Sequence, residues 1–159
     1  MRTMTSLPSL EVYQAAQRTR LEQDEILKNV QGLNIQMTIQ PMSSSTIKSS
    51  DARGGNPLGL KAQGHQWFLI LADWTIAEDE ARVREAVRKI VGATEDTAKK
   101  NGMYIPFKYS NYFAPDQDPL ASYGTENIQK LQEIALQYDP DGVFQKLQNG
   151  GWLLSRTGV

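Results

Sequence analysis

One stretch restricts the fold more than any other. Leu33, Ile35, Met37 and Ile39 alternate with Asn34, Gln36, Thr38 and Gln40 until Pro41 ends the run. Successive strand side chains point to opposite faces, so this pattern dictates a strand with one apolar and one polar face. Such a strand belongs in a sheet with one face covered and the other open. A second run, Gln66 to Trp74, is almost continuously apolar and aromatic. It reads as a strand in the middle of the sheet, covered on both faces.

Helices surround these strands. Pro8 to Gln31 carries Leu10, Tyr13, Ala16, Leu27 and Val30 roughly on one stripe, with Gly32 placed to end it. Thr75-Ile76-Ala77-Glu78 has capping-box spacing and opens a helix with Val83, Val87, Ile90 and Thr94 on one side, closed by Asn101-Gly102. Its other side offers Glu78–Arg82, Glu80–Arg84 and Glu85–Lys89 at i,i+4, a solvated charged face. Thr125 to Tyr138, with Ile128, Leu131, Ala135 and Tyr138 inward, reads as a last helix, stopped by Asp139-Pro140-Asp141-Gly142. Tyr104 to Tyr112 reads as an aromatic strand. Met42 to Gly64, rich in Ser, Gly and Pro, reads as a long loop with room for one short element.

The order that results is helix, strand, long loop, strand, helix, strand, helix. It predicts a single α+β domain over residues 1–159, an antiparallel or mixed sheet with helices on one face, ferredoxin-like in character. Asn34, Gln36, Thr38 and Gln40 then line the open face, where they meet water, a ligand or another subunit.

Composition narrows the chemistry. The chain has 159 residues with 17 Lys+Arg against 18 Asp+Glu, leaving no excess positive charge for nucleic acid or an anionic membrane. The absence of Cys excludes thiol catalysis, disulfides and cysteine-linked cofactors, and a single His leaves no metal-ligand spacing. The start Met1–Thr5 lacks an apolar region behind its charge, and the run Trp67 to Ala72 is too short to span a bilayer. A cytoplasmic protein is the expectation.

The pattern Tyr109-Ser110-Asn111-Tyr112 is followed by Gln117-Asp118-Pro119, Ser122-Tyr123-Gly124, Asn127, Leu131, Tyr138-Asp139-Pro140 and Val143-Phe144-Gln145. Together these resemble the C-terminal part of berberine-bridge-enzyme-like flavoproteins, the fungal members above all, with the motif-bearing part at about 104–159. The resemblance extends upstream through Trp67–Trp74, Gly54–Leu60 and Met37–Pro41. It implies the second half of a substrate domain, an antiparallel sheet whose open face looks toward a flavin ring. It further implies that Tyr109 stands where some members keep a catalytic base, with Asn111 and Tyr112 near the flavin edge. The N-terminal FAD-binding domain of that family has no counterpart in this sequence.

Tyr109, Asn111 and Tyr112 are the candidate catalytic residues, a polar aromatic pocket in which a phenol serves a developing oxyanion. The competing reading has a tyrosine filling the core, since in a strand only one of Tyr109 and Tyr112 faces the open side. Gln36, Thr38 and Gln40 are candidate substrate-binding groups, able to grip a carbonyl, against a solvated or dimer-facing surface. Trp67 joins them as a candidate platform for an apolar ligand, with core packing the alternative, as for Phe68 and Trp74. Asp73 reads as a cap near Thr75, and His65, beside Gly64, as a turn or surface residue.

The function expected from this reading is a cofactor-independent cyclase, pericyclase or isomerase of fungal secondary metabolism, acting on an apolar carbonyl-bearing natural product. An FAD-linked oxidoreductase fragment or split subunit is the alternative, and a non-catalytic accessory protein the third. Apolar edges that a neighbouring domain would normally cover predict a homodimer.

Overall fold

The computed structural model describes residues 1–148 and 150–157. Four strands form one sheet: β1 (Arg2–Ser6), β2 (Asn34–Met42), β3 (His65–Asp73) and β4 (Tyr104–Ile105). Their spatial order is β2-β3-β1-β4 and each observed pairing is antiparallel. With α1 (Leu10–Ile26) between β1 and β2, and α3 (Glu80–Lys100) between β3 and β4, the connectivity is the βαββαβ order of a ferredoxin-like fold. The α+β class and the central place of β3 follow the sequence reading.

The alternation in β2 sorts as expected. Ile35 is buried, and Met37 and Ile39 pack against a core formed by Met4, Phe68 and Ile70 of the sheet, Val12 and Ala16 of α1, and Val87, Ile90 and Val91 of α3. Gln36 and Thr38 are exposed on the opposite face. The register places Gln36 opposite Leu71, Thr38 opposite Leu69 and Gln40 opposite Trp67, so these six residues share the open face.

Four elements depart from expectation. Arg2–Ser6 forms an interior strand that the sequence reading left unassigned, with Thr3, Thr5 and Ser6 fully buried. The supposed strand Tyr104–Tyr112 pairs only over Tyr104–Ile105, because Pro106 brings no N–H to the ladder and the Tyr112 N–H donates to the Tyr109 carbonyl in a turn. Helix α1 ends at Ile26, and Leu10 is 65% exposed, while Leu27 and Val30 turn inward against Val83 and Ala86. Thr75 caps nothing: a short 3₁₀ turn, Ala77–Asp79, precedes α3, and of the three expected ion pairs Arg84–Glu80 is formed, with Arg82 turning to Asp79 and Arg88 to Glu85. Within the loop region a short helix α2 (Ser44–Asp51) forms, the one short element that stretch had room for.

Helix α4 (Thr125–Tyr138) buries Ile128, but Tyr138 is 77% exposed, contrary to its expected inward position. Among the described residues, Ile128 and Leu131 in the first half of α4 join an apolar cluster. Ile134, Leu136 and Tyr138, with Phe144 and Leu147 of α5 (Val143–Leu147), are left in contact with solvent. Among the described residues no helix is long and apolar enough to cross a membrane.

Candidate functional site

The chain from Pro106 to Tyr123 folds back across part of the open sheet face, and its attachment decides what that face presents. Gln117 is the principal clamp. Its Oε1 accepts from the Thr3 N–H at 3.2 Å and the Ala114 N–H at 3.0 Å, and its Nε2 donates to the Thr3 carbonyl at 2.8 Å. β4 pairs with β1 only at Thr5 and Ser6, so the Gln117 amide serves Thr3 as the next peptide of a strand would. Asp116 adds a second anchor, accepting from Arg2 at 2.7 Å and from Arg88 at 3.3 Å. The hydrogen bond from Arg2 is the main cause that holds the Asp116 carboxyl below its ordinary range. Lys108 N–H donates to Ser122 Oγ at 3.0 Å.

This fold-back builds an aromatic stack on β3. Tyr109 lies on Trp67 with ring centroids 4.1 Å apart and planes 21° from parallel, and Tyr112 meets Tyr109 edge-on at 4.9 Å. Asn111 Nδ2 donates to Tyr109 Oη at 2.9 Å, and Tyr112 Oη donates to Gln40 Oε1 at 3.1 Å. The expectation that only one tyrosine reaches the open face is thus corrected: the turn at 109–112 replaces strand alternation and brings both to one side.

Of the sequence candidates, Tyr109, Asn111, Tyr112, Gln40 and Trp67 come together. Gln36 and Thr38 lie further along the same face of β2 without joining the cluster's hydrogen bonds. Trp67 itself is 6% exposed, with one face taken by Tyr109 and the other flank by Phe107, so Tyr109, not Trp67, is the ring presented outward. Trp67 Nε1 is buried without a partner. Asp73 is exposed at the end of β3 and caps no helix. His65 opens β3 and is 3% exposed, not a surface residue. Sequence reasoning missed the clamp: Gln117, Ser122 and Asn127 entered only through family motifs, and a neutral amide carries no local signal of a distant edge partner.

Gly59 ties the loop after β2 to this region. Its φ is +68°, and a Cβ there would stand 2.3 Å from the Tyr123 carbonyl oxygen, which also accepts from Asn127 Nδ2 at 2.9 Å. Glycine alone tolerates both the left-handed backbone and the close approach.

The fold and this cluster define a ferredoxin-like α+β unit with a polar aromatic face. Residues 108–149 match the family described as Berberine and berberine like. The chain is 38% identical over 115 residues to the FAD-dependent monooxygenase FUP4 of Fusarium proliferatum, covering 71% of this chain and 22% of that protein. It is 37% identical over 115 residues to the FAD-dependent monooxygenase tpcD of Cochliobolus heterostrophus, with the same shares. To the Bifunctional solanapyrone synthase of Alternaria solani it is 33% identical over 128 residues, 80% of this chain and 25% of that protein. The chain belongs to the berberine-bridge-enzyme-like family and spans about a fifth to a quarter of the length of these relatives. No solved structure matches it.

FAD, implied by these relatives, fits this chain in part. Tyr109, Tyr112 and the exposed Gln36 present a polar aromatic face of the kind a planar ring packs on. Among the described residues no cleft combines that face with cationic groups for a pyrophosphate: Arg2 and Arg88 are committed to Asp116. No cluster of three or more His, Asp or Glu suited to a metal occurs among the described residues.

Proposed function

We propose that this chain is the substrate-side portion of a berberine-bridge-type, FAD-linked oxidoreductase of fungal secondary metabolism, with the Tyr109–Asn111–Tyr112–Gln40 cluster as its substrate-facing surface. The observation that carries the proposal is the convergence of those four side chains on the open face, in a chain whose relatives are FAD-dependent and about three times as long. When bound, the flavin supplies the two-electron acceptor. This chain positions and polarises the substrate. Because Asn111 donates to Tyr109 Oη, the phenolic hydrogen remains to donate to a substrate oxygen. Because Gln40 Oε1 is taken by Tyr112, its amide N–H groups remain as donors for a carbonyl. The half-buried Leu69 and Leu71 beside Gln36 and Thr38 give an apolar body a place to rest. The exposed apolar surface of α4 and α5 is assigned to contact with the flavin-bearing polypeptide; the homodimer expected from the sequence would cover the same surface.

A chimera tests this reading. The matched 115 residues of the Fusarium proliferatum relative are replaced by those of this chain, and flavin content and substrate oxidation are measured. The chimera is expected to hold FAD and turn over, and Tyr109→Phe to lower kcat without lowering flavin content. A folded, FAD-loaded chimera indifferent to Tyr109→Phe overturns the role of the cluster.

The cofactor-free cyclase or isomerase is the second reading, favoured by the cluster's hydrogen-bonding groups all lying within this one chain. Conversion of a polyene or polyketide substrate by the chain alone, with flavin absent, would establish it in place of the first.

A further inference from the structure

A second concavity lies apart from the Tyr109 cluster. It is a cleft of about 470 Å³ between the segment 59–63, the start of β3, the stretch 104–107 and the turn at 121–124. That volume is within the range of small-molecule sites. Leu60 and Phe107 give it apolar walls, Lys61 stands exposed at it, and His65 lines it.

His65 carries the argument. Its Nδ1 lies 3.0 Å from the Gln63 carbonyl oxygen, and a carbonyl only accepts, so Nδ1 holds the hydrogen. In the neutral ring Nε2 is then a lone-pair acceptor. It is buried and has no partner, in a residue 97% removed from solvent. Buried imidazole nitrogens ordinarily find a partner.

We propose that this cleft binds a hydroxy-aromatic carboxylate, whose phenolic O–H donates to His65 Nε2, whose ring packs on Phe107 and Leu60, and whose carboxylate pairs with Lys61. This is independent of the flavin-linked reading, because the site involves none of the cluster residues and requires no redox partner. Lys61 makes no ion pair among the described residues, so its charge is available to an anion.

The chain's single histidine makes the test direct. Long-range proton–nitrogen NMR of the full chain reports His65 Nε2 alone during titration with 4-hydroxybenzoate, with benzoate as the control. A saturable Nε2 shift is expected with 4-hydroxybenzoate, and about tenfold weaker binding with benzoate, accompanied by no Nε2 shift. Ala121→Phe, which fills the cleft from the wall formed by the turn at 121–124, is expected to abolish the response, and Lys61→Met to weaken it about tenfold. His65→Gln is expected to lower 4-hydroxybenzoate binding to the level of benzoate; should that variant fail to fold, these two others still decide the matter. An unresponsive Nε2 at millimolar ligand overturns the site; equal binding of benzoate overturns the acceptor role of His65, and an indifferent Lys61→Met overturns the choice of an anion.

Discussion

Replacing Gln117 by Leu removes a single buried side-chain amide of nearly constant volume and strands three backbone groups. The Thr3 N–H, the Ala114 N–H and the Thr3 carbonyl each lose the partner found at 3.2, 3.0 and 2.8 Å. Gln117 is 4% exposed and Thr3 fully buried, so water cannot replace the amide without opening the fold-back. An unsatisfied buried polar group costs about 1–3 kcal/mol. Three of them, partly relieved by local opening, give an expected loss of about 3–5 kcal/mol. Urea unfolding followed by circular dichroism measures it as a lower midpoint at unchanged slope. Gln117→Glu separates hydrogen bonding from packing. It keeps both acceptor contacts but sets an oxygen against the Thr3 carbonyl, so it is destabilising when ionised and recovers as the carboxyl is protonated. A loss below about 1 kcal/mol for Gln117→Leu would show that the clamp does not hold the segment and would refute the reasoning.

Three further outcomes are expected. Gly59→Ala costs about 1–3 kcal/mol, read from thermal melting, because it combines a left-handed φ with a clash at the Tyr123 carbonyl. Tyr104 is pushed up to about 12, first by burial and then by Glu95, so its contribution is intact below pH about 10 and is lost as pH rises toward 12; being half exposed, it is worth no more than about 1 kcal/mol. Absorbance at alkaline pH should show one of the six tyrosines ionising late, and Tyr104→Phe should remove that late step. Asp116 is shifted the other way, downward through its bond to Arg2, so the anchoring of 113–118 persists above the ordinary carboxylate range and weakens as pH falls through the lowered value; Asp116→Asn should flatten that acid dependence in hydrogen-exchange measurements of the segment.

What the sequence disclosed, and what it concealed, follow from whether the signal is local. β2 and β3 were legible because alternation and continuous apolarity are local signals, although β3 is covered only in part on its open face, where Leu69 and Leu71 stay half-buried. The inward stripe of α3 was legible for the same reason. β1 was hidden because Thr3, Thr5 and Ser6 are polar, and their burial depends on β3, on β4 and on an amide more than a hundred residues away. Tyr109, Asn111, Tyr112 and Gln40 were legible as candidates, but not their arrangement. A strand was expected where Pro106 stops pairing, and the turn that follows sets both tyrosines on one side. His65 was misread because a histidine after glycine looks like a turn until β3 places it under cover. The exposed end of α4 shows the opposite failure, an amphipathic pattern whose partner surface is missing from the fold described.

This chain is expected to contribute the face on which substrate rests beside the flavin ring, and not the site that holds the rest of FAD. Flavin fluorescence during titration with the purified chain tests it most directly, comparing riboflavin with FAD. The account predicts weak, saturable quenching for both with similar constants, on the order of 0.1–1 mM or about 4–5.5 kcal/mol, and its loss in Tyr109→Ala. Binding of FAD many times tighter than riboflavin, or quenching that survives Tyr109→Ala unchanged, would contradict it.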